Sequence, residues 1–279
     1  MNTRRDLLFG GSMSLGLMAL GAGSALGRPR DGDQPYDLLI KGGRVIDPSQ
    51  GLNSLCDIGV RAGRIAALAP VIRDAVARKT LYLTGQDIVV PGLVDLHTHV
   101  YPEGAPLAVR CDDFMVQNGS TTFVDAGDAG VNNYWAFEEE VIKKAKSRMY
   151  AFLNVSVVGL LGFPVGELLL PEDLVSAVRA AEVLKEHPQY LLGMKVRASN
   201  YVVGNSALPP IDRALEALEL AGTGGRLMCH IGAVPGELDA VLKRMRPGDI
   251  ITHVYSGAGN NVIQDGKLMS AALQAQQRG

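Results

Sequence analysis

Four of the five histidines in this 279-residue chain stand at the ends of short apolar runs. His97 and His99 form an H-x-H pair in Asp95-Leu96-His97-Thr98-His99, directly after Val90-Pro91-Gly92-Leu93-Val94. His230 ends Arg226-Leu227-Met228-Cys229-His230, and His253 ends Ile250-Ile251-Thr252-His253. In a strand, residues i and i+2 point to the same side, so His97 and His99 can grip one metal ion through their imidazole nitrogens. An H-x-H pair by itself reads equally well as two surface or hydrogen-bonded histidines. The repeated strand-end placement of His230 and His253 shifts the balance toward a shared centre. The fifth histidine, His187, precedes Pro188 at a helix end, where it favours the helix C-terminus and carries no chemistry.

Lys195 ends a further run, Leu191-Leu192-Gly193-Met194-Lys195-Val196. A bare ammonium among such neighbours is costly to bury. Either it snorkels to a cavity mouth or pairs with a carboxylate, or its amine has reacted with carbon dioxide. The product of that reaction is an anion with two oxygens, able to bridge two divalent cations. Strand parity adds two candidate substrate-binding residues, Arg197 two places after Lys195 and Tyr255 two places after His253. Arg197 suits bidentate recognition of a carboxylate, with a loop salt bridge as its structural alternative. Gly232, two after His230, leaves space for substrate. Asp125 and Asp128 in Val124-Asp125-Ala126-Gly127-Asp128 fit a turn role first and a hydrogen bond to a ligating histidine second.

These groups need a scaffold that gathers strand ends. Up to about residue 88, short strands with close turns (Tyr36–Asp47 with its Gly42-Gly43 turn, Asp57–Val60, Arg64–Leu68, Leu81–Leu83) predict a small β domain. From there, six apolar runs (Val89–Leu96, Thr121–Asp125, Ala151–Val155, Leu191–Val196, Arg226–His230 and Asp249–His253) alternate with helical spacing. Ile211, Leu215 and Leu218 share one helix face; Leu238, Val241, Leu242 and Met245 share another. Repeated β-then-α units require parallel strands with crossover helices. Without a dinucleotide glycine fingerprint, a (β/α) barrel is favoured over a doubly wound sheet. The expected fold class is therefore α/β, a TIM-type barrel with six of eight units, preceded by a small β-sandwich-like domain. The expected divisions are 1–27 signal, 28–35 linker, 36–88 β domain and 89–279 barrel.

The segments Pro-Gly-Leu-Val-Asp-Leu-His-Thr-His, Gly-Met-Lys-Val-Arg, Cys-His-Ile-Gly and Thr-His-Val-Tyr-Ser-Gly resemble the amidohydrolase superfamily. The resemblance covers residues 36 to 279 and is to the binuclear branch with dihydroorotases, hydantoinases and D-aminoacylases, closest to its amidohydrolase/deacetylase metallohydrolases. It implies that His97 and His99 bind the more buried metal, that a carboxylated Lys195 bridges two ions, usually zinc, and that His230 and His253 bind the more exposed ion. The implied reaction is hydrolysis of an amide or acetyl ester of a small molecule by hydroxide held between two cations. In such families an aspartate at the end of the eighth barrel strand moves the proton. That aspartate has no counterpart here. The stretch from Asp265 to Gly279 reads as a helical tail that Asp265 opens, and the sequence stops where a seventh strand is expected. The chain is accordingly expected to bind metal poorly and to hydrolyse little. Two alternatives stand beside this: a dihydroorotase-like cyclic amidase, and a non-catalytic remnant that binds metal or ligand.

With 27 basic and 29 acidic residues the net charge is −2. That balance gives no footprint for nucleic acid and points to a small-molecule substrate, with homo-oligomerisation left open. Thr3-Arg4-Arg5-Asp6-Leu7-Leu8 followed by a Gly- and Leu-rich apolar stretch reads as a twin-arginine signal, hence a periplasmic or exported protein without a stable membrane anchor. Export counts against a role in cytoplasmic pyrimidine synthesis. The three cysteines, Cys56, Cys111 and Cys229, are widely spaced and odd in number, so they read as buried thiols, with Cys229 turned away from the site.

Overall fold

The computed structural model describes residues 35–73, 76–165, 168, 176–236 and 238–279. The twin-arginine motif and nearly all of the linker lie outside them. The chain divides into two compact units, Met1–Val90 and Pro91–Gly279. No helix among the described residues is long and apolar enough to cross a membrane.

In the first unit, strands β1 (Leu38–Asp47), β2 (Leu52–Arg61), β3 (Arg64–Ala69), β4 (Thr80–Tyr82) and β5 (Ile88–Val89) form one sheet. Its path is β3-β2-β1-β4, with β5 also on β1. The fork at β1 has a local cause. A bulge between Ile40 and Gly43 bends the strand, so Leu39–Lys41 pair with β4 and Arg44–Val45 pair with β5. Val45, Cys56 and Ile58 are the buried centre of this sheet. The sandwich-like expectation is therefore realised, among the described residues, as a single bent sheet.

The second unit carries six parallel strands: β6 (Leu93–Thr98), β7 (Ser120–Asp125), β8 (Arg148–Asn154), β9 (Leu191–Ala198), β10 (Arg226–Ile231) and β11 (Ile250–Thr252). They lie in sequence order, β11-β10-β9-β8-β7-β6. Helices α1 (Cys111–Asn118), α2 (Tyr134–Glu140), α3 (Ala177–Glu186), α4 (Asn200–Val203), α5 (Leu208–Ala221) and α6 (Leu238–Arg244) fall between them. The first strand starts at Leu93, later than the sequence run beginning at Val89. Pro91 lacks an N–H for a ladder, and Ile88–Val89 are already paired with β1 of the first unit. The tail also differs from expectation. Asp265 opens no helix: Asp265 (φ 50°) and Gly266 (φ 72°) make the two-residue turn of a hairpin between β12 (Ile263–Gln264) and β13 (Lys267–Leu268). An Asp-Gly pair tolerates two successive positive φ angles, which is what this turn demands. The helix, α7 (Ser270–Arg278), follows it.

Period-two alternation sorts the side chains of these strands. Met149, Ala151, Leu153 and Val155 join the large core between sheet and helices, as do Leu227, Cys229 and Ile231. Ile211 and Leu218 of α5 and Leu238, Val241 and Leu242 of α6 pack into the same core, on the faces the spacing predicts. On the opposite face Val124, Ala126, Phe152 and Met228 form a smaller cluster. The sheet is curled into a half-barrel around that smaller cluster. In a flat sheet β6 and β11, five steps apart, would be separated by about 24 Å. Here His97 Nδ1 on β6 lies 2.8 Å from Thr252 Oγ1 on β11.

The tightest point of the ladder is Gly193 opposite Arg226. It has φ 152°, and a Cβ there would stand 1.8 Å from the Arg226 carbonyl oxygen. Gly193→Ala should therefore lower the stability of this unit by about 1–3 kcal/mol. It should appear as a lower denaturation midpoint at unchanged slope; an unaltered midpoint would show that the β9–β10 pairing has slack to absorb a methyl group.

Candidate metal centre at the strand ends

His97, His99, Lys195, Arg197, His230 and His253 line one cavity of about 470 Å³, walled also by Leu107, Leu160, Phe163 and Tyr201. Five of the six parallel strands position these side chains or their immediate partners. β6 supplies His97 and leads into His99. β7 leads into Asp128, which orients His99. β9 supplies Lys195 and Arg197, β10 supplies His230, and β11 leads into His253. A larger cleft of about 600 Å³ beside Tyr101, Arg110, Glu140 and Lys144 contains none of the histidines, so size does not mark the site.

The imidazoles form a chain. Ring centroids are 5.4 Å apart for His97–His99, 4.6 Å for His97–His253 and 4.5 Å for His230–His253. One nitrogen of each of three rings is held by a neighbour. His99 Nδ1 is 2.6 Å from Asp128 Oδ1, His97 Nδ1 meets Thr252 Oγ1, and His230 Nε2 is 2.9 Å from Ser199 Oγ. Holding one ring nitrogen in this way orients the ring and leaves the other nitrogen for a ligand; at His99 the carboxylate acceptor also favours the Nδ1–H tautomer. Gly232 makes room for the Ser199–His230 pair, since a Cβ there would lie 3.1 Å from His230 Nε2 and 3.2 Å from Ser199 Oγ.

His253 is not the last residue of its strand. β11 ends at Thr252, and His253 has φ 69°, a left-handed conformation that costs a non-glycine residue about 1–3 kcal/mol. The break also cancels the parity argument for Tyr255. That side chain is 91% exposed and lies with Met245, Val262 and Leu268 along a different groove, away from the histidines.

Asp125 and Asp128 hold the base of the site. Asp125 Oδ1 accepts from the N–H groups of Gly127 (2.9 Å) and Asp128 (2.8 Å), the turn role. Asp128 takes the second role, accepting from Tyr101 N (2.9 Å) and from His99. The ligand atoms of His99, Asp125 and Asp128 lie within 4.8 Å of one another, close enough to hold an ion. Their present partners favour a different assignment: both carboxylates are taken up with backbone N–H donors, and Asp128 also engages His99 Nδ1.

Burial dominates the electrostatics. It pushes the His97 imidazolium down to about 2 and the His230 imidazolium to about 3, with Lys195 adding to both, and it lowers His99 and His253. Neutral imidazoles are the form that ligates metal. Burial also raises Asp125 well above the usual carboxylate range and Asp128 to about 6. Lys195 is 1% exposed, its Nζ is 3.6 Å from Met228 Sδ, and burial lowers its ammonium to about 7. Its stem passes over Gly127, where φ is 91° and a Cβ would collide with Lys195 Cγ at 2.6 Å. The donor set of neutral nitrogens with one buried amine fits divalent transition-metal chemistry better than a hard, oxygen-ligated ion.

The sequence reading omitted Thr252, Ser199, Tyr201 and Phe163. Thr252 and Ser199 stand next to or near named residues, where their hydroxyls were a readable signal. Phe163 reaches the cavity from the turn after β8, and nothing in its spacing announces it. His187 makes its main contact with Glu138, Nδ1 to Oε2 at 2.5 Å, away from the cavity. The three cysteines are free and buried, and Cys229 lies in the helix-side core.

Among known proteins, the chain is 31% identical over 212 residues to a deacetylase of Agrobacterium fabrum, covering 75% of this chain and 51% of that one. The crystal structure of an adenine deaminase matches with TM-score 0.77 and 30% identity over 88% of this chain and 64% of its own. A crystallised dihydroorotase matches with TM-score 0.72 and 27% identity over 86% and 63%. The chain thus spans less than two thirds of each of these relatives. No protein-family profile matches it.

The lowered histidines predict a pH signature in metal-free protein. Their folded values lie below the ordinary 6.5, so the stability they contribute is present above pH 6.5 and drains away as pH falls toward about 3. Asp125 and Asp128, being raised, act in the opposite sense. The decisive quantity is therefore a difference. Between pH 6.5 and 5 in EDTA, His97→Gln/His230→Gln should lose melting temperature with falling pH less steeply than the parent chain. Equal slopes would mean that these rings are not held neutral by burial.

Proposed function

This chain belongs to the amidohydrolase superfamily, a metal-dependent family, and we propose that it carries the metal-binding side of a hydrolase acting on an amide or acetyl ester of a small molecule. The observation that carries this reading is the convergence of four imidazoles and one buried lysine on a single cavity. His97, His99, His230 and His253 would hold two divalent ions, zinc being the natural choice for such donors. When bound, the ions would supply Lewis-acid polarisation of the scissile carbonyl and activation of water.

The rest belongs to the protein. Asp128, Thr252 and Ser199 fix the rings. Lys195, lowered to about 7, has access to the neutral amine; addition of carbon dioxide to that amine, with loss of one proton to solvent, would turn it into an anionic oxygen ligand for the metal. Arg197 lines the same cavity as the histidines, where it would anchor a substrate carboxylate. The deacetylase relative supports acyl removal; the dihydroorotase neighbour supports cyclic-amide opening as the second reading.

Among the described residues the cavity lining holds no carboxylate to move a proton. A purely metal- or ligand-binding role stays in view beside the hydrolase reading. The preassembled rings favour metal binding more than the sequence alone suggested. The twin-arginine motif supports export to the periplasm and work on a small-molecule substrate there.

Zinc added to EDTA-treated protein should raise the melting temperature, with about 2.7 kcal/mol of stabilisation at one hundred times Kd. His97→Ala and His230→Ala should abolish most of the shift. Loading with 13C-bicarbonate should give a carbamate resonance that Lys195→Arg lacks. A zinc shift undiminished in both histidine variants would remove the proposed centre. Assaying N-acetyl amino acids, acetylated hydroxy acids and dihydroorotate on this chain beside the Agrobacterium deacetylase separates the two substrate readings.

A further inference from the structure

Two loops meet behind the outer histidines. One, residues 232–236, follows β10 and its His230; the other, residues 254–261, follows β11 and His253. Both hold non-glycine residues in the left-handed region: Ala233 (φ 52°) in the first, and His253 (φ 69°) and Asn260 (φ 50°) at the two ends of the second. Such backbone persists where surrounding contacts over-determine it. Asn260 supplies those contacts. Its Nδ2 donates to the carbonyl oxygens of Val234 at 2.6 Å and Gly236 at 2.9 Å, across 26 and 24 positions of sequence. Among the described residues, these are the hydrogen bonds that tie 254–261 to a distant segment. The first loop is also held on its other flank. Asn200 N donates to the Ala233 carbonyl at 3.1 Å, next to Ser199, whose hydroxyl meets His230. Val234 and Val262 are buried in one core, which pins both loops at their feet. Asparagine suits the position, since it tolerates the left-handed region and its amide offers one N–H to each carbonyl.

We propose that Asn260 is a positioning residue that staples the loop after β11 to the loop after β10, and so fixes the His253 ring against the His230 ring at a spacing that lets both donate to one cation. The two ring centroids are 4.5 Å apart. His230 is set by the β10 ladder and by Ser199. His253 lies beyond the end of β11, where the ladder no longer sets its direction. Its strained backbone would relax toward the ordinary region if the far end of its loop were released, and the ring would turn away from His230. Asn260 thus acts through a ligand without touching the ion. The inference deepens the metal-centre reading and rests on it for the cation; the ring spacing itself is read in metal-free protein.

The test uses the full chain with 13C-labelled histidine rings, assigned by replacing each histidine in turn with glutamine. In EDTA, the parent should show a nuclear Overhauser effect between the ring protons of His230 and His253, and another between those of His97 and His99, whose centroids are 5.4 Å apart. Asn260→Ala should lose the first and keep the second. Asn260→Asp keeps the shape but sets oxygens against the two carbonyls, and Asn260→Gly relieves the backbone without replacing the donors; both should behave like Asn260→Ala. Zinc titrated against a chromophoric chelator should then show the weaker of two affinities lowered about tenfold in all three variants, the low end for a group that orients a ligand, with the tighter one unchanged. Asn260 is exposed, so the variants should fold, with far-UV circular dichroism matching the parent.

The proposal is overturned if the His230–His253 effect is absent in the parent, if it survives in any of the three variants, if the His97–His99 effect disappears with it, or if it is lost while both zinc affinities hold. The metal reading fails separately. A zinc-induced melting shift undiminished in His97→Ala and His230→Ala would remove the cation and leave the stapled ring spacing standing.

Discussion

The curl of six parallel strands is the constraint on which the rest of the second unit depends. It brings the two outermost strands together at their C-terminal ends, so that a ring on β6 touches a hydroxyl on β11. Without it, His97 and His253 would lie on opposite flanks of an open sheet. The curl is maintained by asymmetry between the faces. The helix-side face is packed by α3, α5 and α6 through an extensive core, and the inner face holds a narrow cluster of four buried residues. An inner layer of that size leaves space above it, and the cavity occupies that space.

That space is expensive to fill with ionisable groups, and the structure meets the cost by changing their protonation. The imidazoles are neutral, Lys195 is drawn toward neutrality, and Asp125 and Asp128 are raised. In a medium of low polarisability each group either loses its charge or acquires a partner. The backbone N–H donors at Asp125 and the Asp128–His99 contact are such partners. Perturbed groups gathered in one cavity, with ring nitrogens held from behind, mark it as the candidate site. The left-handed backbone at His253 adds local strain at the same place.

The cavity also has two chemically distinct sides. The histidines are borderline nitrogen donors, grouped with the buried Lys195. Arg197 packs its guanidinium against the rings of Phe163 and Tyr201.

The sequence by itself determined the alternation of strands and helices, the buried helix faces, and the placement of His97, His99, Lys195, Arg197 and His230 on inward positions. Period-two and period-3.6 patterns are local properties, set by backbone geometry and readable from neighbours alone. It also carried the Asp265-Gly266 hairpin signal, which was overshadowed by the helical pattern that follows. Only the tertiary structure decided the rest. Tyr255 left the site because one residue, His253, adopts φ 69°, and a single such angle turns every later side chain. Thr252, Ser199 and Phe163 joined it because packing folded distant segments against the rings, and no spacing along a chain encodes a contact between residues 155 positions apart, as His97 and Thr252 are.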